Sequence, residues 1–170
     1  MSFINDFTQW FMTMSDWAAQ LGYIGAFIIG FLSSFTLFLP TPAFVIIFIM
    51  AAAGLNPIAL GIAAGLGSAA GELIGFALGY GSRQLLVKKH KKELVRIERL
   101  FQKYKGWLVV FVFAATPLPF DIVGIFCGNI GYPFKKFMIP TIAGKIVKYI
   151  AIALAGFYGV QWLSSLFVLE

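Results

Sequence analysis

Glu72 and Lys145 each follow a glycine deep inside a long apolar stretch, as Gly71-Glu72 and Gly144-Lys145. Asp121 ends a second charged motif, Thr116-Pro117-Leu118-Pro119-Phe120-Asp121. Lys148 shares a helical face with Lys145 at i+3, and Arg83 shares one with Glu72 at i+11. Ionisable groups in such surroundings cost several kcal/mol unless paired or hydrated, roughly 2.5–3.5 kcal/mol each at the centre of a bilayer helix, and by default they mark a functional site. The chemistry open to them is binding and charge carriage. Glu72 and Asp121 can take up a coupling proton or sodium ion, while Lys145, Lys148 and Arg83 can hold a phosphate or another anion. A simple structural lock between two helices needs one acid and one base. Four buried ionisable groups exceed that need.

Catalysis has little to work with. The single histidine, His90, falls on the apolar stripe of a basic helix, and the single cysteine, Cys127, sits in an apolar run as a small buried hydrophobe. No metal-ligand spacing repeats, so the expectation is no enzyme activity, no metal and no cofactor.

Those charges need elements to position them. The 170 residues are 60% hydrophobic, 17% aromatic and 12% charged, with a mean hydropathy of +0.89. Soluble domains carry about a quarter charged residues, so lipid must solvate much of this surface. Residues 3–21 place Phe3, Phe7, Trp10, Met14, Trp17 and Leu21 on one helical face, which predicts an interfacial helix. An apolar run over 22–55 is broken by Leu39-Pro40-Thr41-Pro42, and the piece after the break is too short to cross a core that needs about 20 helical residues. A re-entrant hairpin is expected there, covered by protein or a wet cavity. Asn56-Pro57 then opens a glycine-rich helix long enough to span, carrying Glu72.

Residues 83–105 hold nine of the thirteen basic residues. Their apolar positions, Val87, His90, Leu94, Ile97, Phe101 and Tyr104, recur at three and four, which predicts an amphipathic helix on the bilayer surface rather than a nucleic-acid-binding segment. The same order then returns over 106–160: an apolar piece, Pro117-x-Pro119, a second apolar piece, Gly131-Tyr132-Pro133 and a long helix with Lys145. The expected architecture is therefore an all-α integral membrane protein of one domain, 1–170. It comprises an interfacial helix 1–21, a first repeat 22–82, a basic cytoplasmic helix 83–105 and an inverted second repeat 106–160. Placing the basic loop and Lys135-Lys136 inside puts both termini outside in a multi-pass cell-membrane protein. Glycines four apart leave self-association into a homo-oligomer open.

At each break, Thr41-Pro42 and Thr116-Pro117 read as an N-cap followed by proline at the first helical position. The inner half-helices would then aim their N-termini at the centre, where an anion is favoured. Glu72 lies about 16 Å from Arg83 along its helix and Lys145 about 13 Å from Lys136, both near the middle of a core about 30 Å thick.

These motifs together resemble the DedA family, also called the VTT or SNARE-associated Golgi protein family. The resemblance rests on both Pro-x-Pro hairpins, on Gly67-Ser-Ala-Ala-Gly71-Glu72-Leu-Ile-Gly75-Phe-Ala-Leu-Gly79-Tyr80-Gly81-Ser-Arg83, and on Thr116-Pro-Leu-Pro119-Phe-Asp121 with Gly144-Lys145. It covers about residues 22–160. It implies two re-entrant hairpins facing each other and a lipid transporter, either a flippase or a scramblase. The implied substrate is an anionic membrane lipid, such as polyprenyl phosphate or a phospholipid, with proton-motive force implicated. Ala43 stands where many members carry an acid, and the segment around Pro117 lacks the usual arginines. The chain is most similar to the branch with Thr-Pro-x-Pro-x-Asp.

Overall fold

The computed structural model describes residues 9, 13, 20–35, 43–103, 105–118 and 120–167, with the helical course alone for 84–98, 100, 102 and 160–167. Its elements are α1 (Tyr23–Leu32) with a 3-10 turn at Ser33–Phe35, α2 (Ala43–Ala52), α3 (Pro57–Lys103), α4 (Gly106–Ala115), α5 (Asp121–Ile130) and α6 (Phe134–Phe167). Among the described residues every regular element is helical.

Local sequence explains where these helices start and stop. Asn56 caps α3: its side-chain oxygen accepts from the N–H groups of Ile58 at 3.0 Å and Ala59 at 3.1 Å, with Pro57 at the first helical position. Both short inner helices end on glycines in the left-handed region, Gly54 at φ +99° after α2 and Gly131 at φ +72° after α5. A side chain there would strain the backbone. Tyr132 N–H then bonds back to the Cys127 carbonyl at 2.9 Å, closing α5.

Two helical stretches, Pro57–Arg83 and Phe134–Gly159, are long and apolar enough to cross a membrane. They run antiparallel, with Gly61 against Ile150 and Gly65 against Ile146. Four shorter helices fill in around them. The first half of α3 carries α1 alongside it, Gly67 against the Phe27 carbonyl; the second half carries α5, Gly79 against the Ile125 carbonyl. On α6 the first half carries α4, Gly144 against Phe111 and Ala114, and the second half carries α2, Gly156 against the Phe48 carbonyl. Each long helix thus holds one short helix from its own half of the chain and one from the other half. Glycine permits the backbone approach at every one of these seams.

Buried apolar residues form two clusters. One contains Ile29, Ile46, Ile47, Met50, Leu60 and Tyr149; the other contains Phe76, Val110, Phe120, Cys127, Ile130 and Phe137. Along α3, Glu72 lies between Leu60 and Phe76, and along α6, Lys145 lies between Phe137 and Tyr149. The charges are therefore inserted between two dry cores.

One boundary differs from the sequence expectation. No break separates 22–82 from the basic stretch 83–105, because α3 continues as one helix to Lys103. Between Ser82 and Lys103 there is neither glycine nor proline, and Leu, Lys, Glu, Arg and Gln all favour helix. The stretch is helical as expected, and it packs on the end of α5 through Phe101 against Phe126 and Tyr132. Similarly, α6 runs on to Phe167, past the expected limit at 160. The interfacial helix expected over 1–21 lies almost wholly outside the described residues.

Candidate functional site

Lys145 Nζ donates to Glu72 Oε1 at 2.6 Å, joining α6 to α3. The two residues are 4% and 2% exposed, so the pair is deeply buried. Desolvating two charges is repaid only by close geometry and further hydrogen bonds. The second carboxylate oxygen, Oε2, accepts no hydrogen bond among the described residues. It lies 3.4 Å from the position a Cβ would take on Gly124 of α5, which leaves it ordinary contact and little more.

The remaining charges gather beside this pair. Lys145 also lies over the Phe120 ring, 5.0 Å from its centroid. Lys148, one turn further along α6, is flanked by Phe44 at 5.2 Å and Tyr149 at 5.5 Å. Its ammonium has aromatic faces as neighbours and no ion-pair partner among the described residues. Asp121 opens α5 and is buried. All four groups line one cavity of about 210 Å³, together with Ala43, Phe44, Pro117 and Leu118.

Hydroxyls form the far wall. Tyr149 OH and Ser33 Oγ are 2.7 Å apart, Ser33 reaches Ser68 Oγ at 3.4 Å, and Ser34 donates to the Ser68 carbonyl at 2.6 Å. This cluster ties the 3-10 turn to both long helices. Sequence reading passes over it, although Ser33-Ser34 interrupts an apolar run six residues before Pro40 and Ser68 stands one turn before Glu72.

Glu72, Asp121, Lys145, Lys148 and Pro117 thus line one cavity, while Arg83 and Thr116 lie elsewhere. Arg83 does not line the cavity; its guanidinium packs over Gly131 at the end of α5. The i+11 spacing keeps it on the Glu72 face but carries it three turns away along the helix. Thr116 does not cap α5. Its hydroxyl donates to the Phe113 carbonyl at 3.1 Å, so it closes α4, and α5 begins only at Asp121 with Phe120 as its cap residue. Pro117 and Leu118 follow the end of α4 as bends and belong to neither helix. Thr41, Pro40, Pro42 and Pro119 lie outside the described residues; α2 begins at Ala43, directly after Pro42.

Outward faces carry large apolar side chains at Ile24, Ile58, Leu78, Val112, Ile122 and Ile139. Exposed apolar surface of this extent around a buried charge cluster defines a helical integral membrane protein. Residues 39–158 match the VTT domain, and the chain belongs to the VTT-domain family, the DedA family. It is similar to an uncharacterised protein of Methanocaldococcus jannaschii, 26% identical over 130 residues that cover 75% of this chain and 79% of that protein. It is also similar to the vacuole membrane protein KMS1 of Arabidopsis thaliana, 39% identical over 46 residues, covering 26% of this chain and 11% of that protein. No solved structure matches the chain.

Proposed function

We propose that the protein is a lipid transporter that carries an anionic lipid headgroup, such as that of polyprenyl phosphate or a phospholipid, through the central cavity. The observation that carries this reading is the position of that cavity. Two buried lysines and two buried acids face it, where the start of α2 meets the turn before α5. Helix starts favour anions through their unpaired N–H groups. Lys148, held only by aromatic faces, is the cation ready to receive a phosphate, and Lys145 is already engaged by Glu72. Glu72, with one oxygen unsatisfied, and Asp121 are the groups that would take a coupling proton or sodium ion. The cavity rim includes Pro117, Leu118 (49% exposed) and Phe44 (38% exposed), an apolar edge suited to lipid tails that stay in the bilayer while the headgroup enters.

The helix arrangement supports an inverted-repeat reading. The Tyr23 hydroxyl, at the start of α1, accepts from Asn56 N–H at 3.2 Å, just after α2 ends. This contact sets the start of α1 beside the end of α2, which supports the reading of a re-entrant hairpin, and α4 and α5 pack on α6 and α3 in the corresponding way. Movement of one half against the other around a fixed site would give alternating access, with the basic stretch 83–105 on the cytoplasmic side. A coupled carrier of a small solute is the second reading, favoured by the modest 210 Å³ of the cavity.

The test is reconstitution in liposomes with headgroup-labelled anionic lipids, comparing wild type with Glu72→Gln and Asp121→Asn. Hydrogen bonds to charged groups contribute roughly 1.5–3 kcal/mol, so each change is expected to slow translocation about tenfold or more. Unchanged rates in both variants would remove the site from the mechanism.

A further inference from the structure

A second groove lies away from the central cavity, between α4 and the first turns of α6. It encloses about 410 Å³ and is walled by Trp107, Phe111, Ile139, Pro140 and Ala143. Trp107 is 50% exposed and Ile139 67%, so the groove faces out of the bundle. Both helices begin at the same end of it, and there stand Lys135 and Lys136, exposed at the second and third positions of α6.

In the other half of the molecule the matching pair of helices meets closely. There α1 and the start of α3 close backbone to backbone through Gly30 and Gly67. Between α4 and α6 the comparable approach comes only at Gly144, and bulky Trp107, Phe111 and Ile139 hold the helix ends apart.

Its chemistry is two-part. Tryptophan beside lysine marks the level of the bilayer interface, and below that level the walls are apolar. We propose that the groove is a binding site for a phospholipid with an anionic headgroup, one acyl chain lying along Phe111 and Ala143 and the phosphate held by Lys135 and Lys136. Basic clefts between membrane helices suit such headgroups. A soluble anion would use the lysines and ignore the groove, a neutral lipid would use the groove and ignore the lysines. The site is separate from the central cavity and stands whether or not that cavity transports.

The experiment uses the purified full chain in detergent micelles, titrated with dioleoylphosphatidylglycerol or dioleoylphosphatidylcholine, with bound lipid counted by native mass spectrometry. Phosphatidylglycerol should be retained in preference to phosphatidylcholine, with one molecule per chain belonging to the groove. Replacing both surface lysines, Lys135→Ala with Lys136→Ala, should lower its affinity about tenfold or more. Ala143→Trp, filling the groove from its exposed wall, should displace it, and Lys148→Met in the central cavity should leave it bound. Thermal unfolding in the same detergent reports whether each variant is folded, and the lysine pair, being exposed, carries the test if Ala143→Trp is not. Equal affinity for the two lipids overturns the proposal. So does a preference that survives the lysine change but is lost in Lys148→Met, or a dimer of this chain that forms through the groove and is broken by Ala143→Trp.

Discussion

Lys145 and Glu72 form an ion pair at 2.6 Å between the two antiparallel membrane helices, with one carboxylate oxygen left unsatisfied among the described residues. Removing either partner leaves the other charge buried and alone, at a cost of about 3–5 kcal/mol, whereas removing both in favour of apolar residues is often neutral. Lys145→Met alone should therefore lower thermal stability in detergent sharply, and Glu72→Met with Lys145→Met should restore it. Transport should stay lost in the double variant. A double variant that regains both stability and transport would make the pair a structural lock only.

The glycine seams give a graded prediction. A methyl group on Gly128 would collide with the Phe76 carbonyl and on Gly67 with the Phe27 carbonyl, while Gly81 meets nothing within 4 Å. Backbone cannot retreat as a side chain can, so Gly128→Ala and Gly67→Ala should each destabilise by about 1–3 kcal/mol. Gly81→Ala should be neutral or stabilising by about 0.5–1 kcal/mol, the ordinary gain of alanine over glycine within a helix. Melting temperatures of the three variants in one detergent check the order.

Much of this site was legible from residue types alone. An acid after Gly71, a lysine after Gly144 and an acid after Pro119 stand out because lipid-exposed helices cannot carry them cheaply. Their convergence follows from the packing of α5 and α6 on α3 at the level of Glu72. Arg83 and Thr116 misled for a common reason: helical phase and cap preference are local properties, and neither says how far along a helix a partner will sit. Here α5 begins only at Asp121, and it ends beside Arg83. The continuation of α3 to Lys103 was hidden by charge, since a change from apolar to basic surface marks a change of solvent and not a break in backbone hydrogen bonding. Ser33, Ser68 and Tyr149 were hidden by their small polarity, which only tertiary contact turns into a cluster.

Lys148 separates substrate charge from fold. Its ammonium touches Phe44 and Tyr149 and no carboxylate among the described residues, so Lys148→Met keeps the length and packing of the side chain while removing the charge. Stability should change little, because a cation–π contact contributes about 0.5–2 kcal/mol and methionine retains favourable contact with rings. Translocation of anionic lipid should fall about tenfold or more, the loss of one charged hydrogen bond, with zwitterionic lipid affected far less. Equal loss for both lipids would assign Lys148 to the coupling step and not to headgroup binding.

Leu118 decides between a lipid path and a solute path. It lies on the cavity rim, 49% exposed, in the turn between α4 and α5. The native Cys127 is fully buried, and buried thiols are unreactive, so a nitroxide label can be placed at Leu118→Cys in the otherwise unchanged chain. Oxygen partitions into the acyl region and a charged nickel chelate stays in water. A rim that opens sideways to lipid should relax the label more through oxygen than through the chelate, in liposomes and in the presence of anionic lipid alike. Stronger relaxation by the chelate would mean that the rim faces an aqueous vestibule; lipid tails could not then remain in the bilayer beside it, and the small-solute carrier would become the better reading of the same four charges.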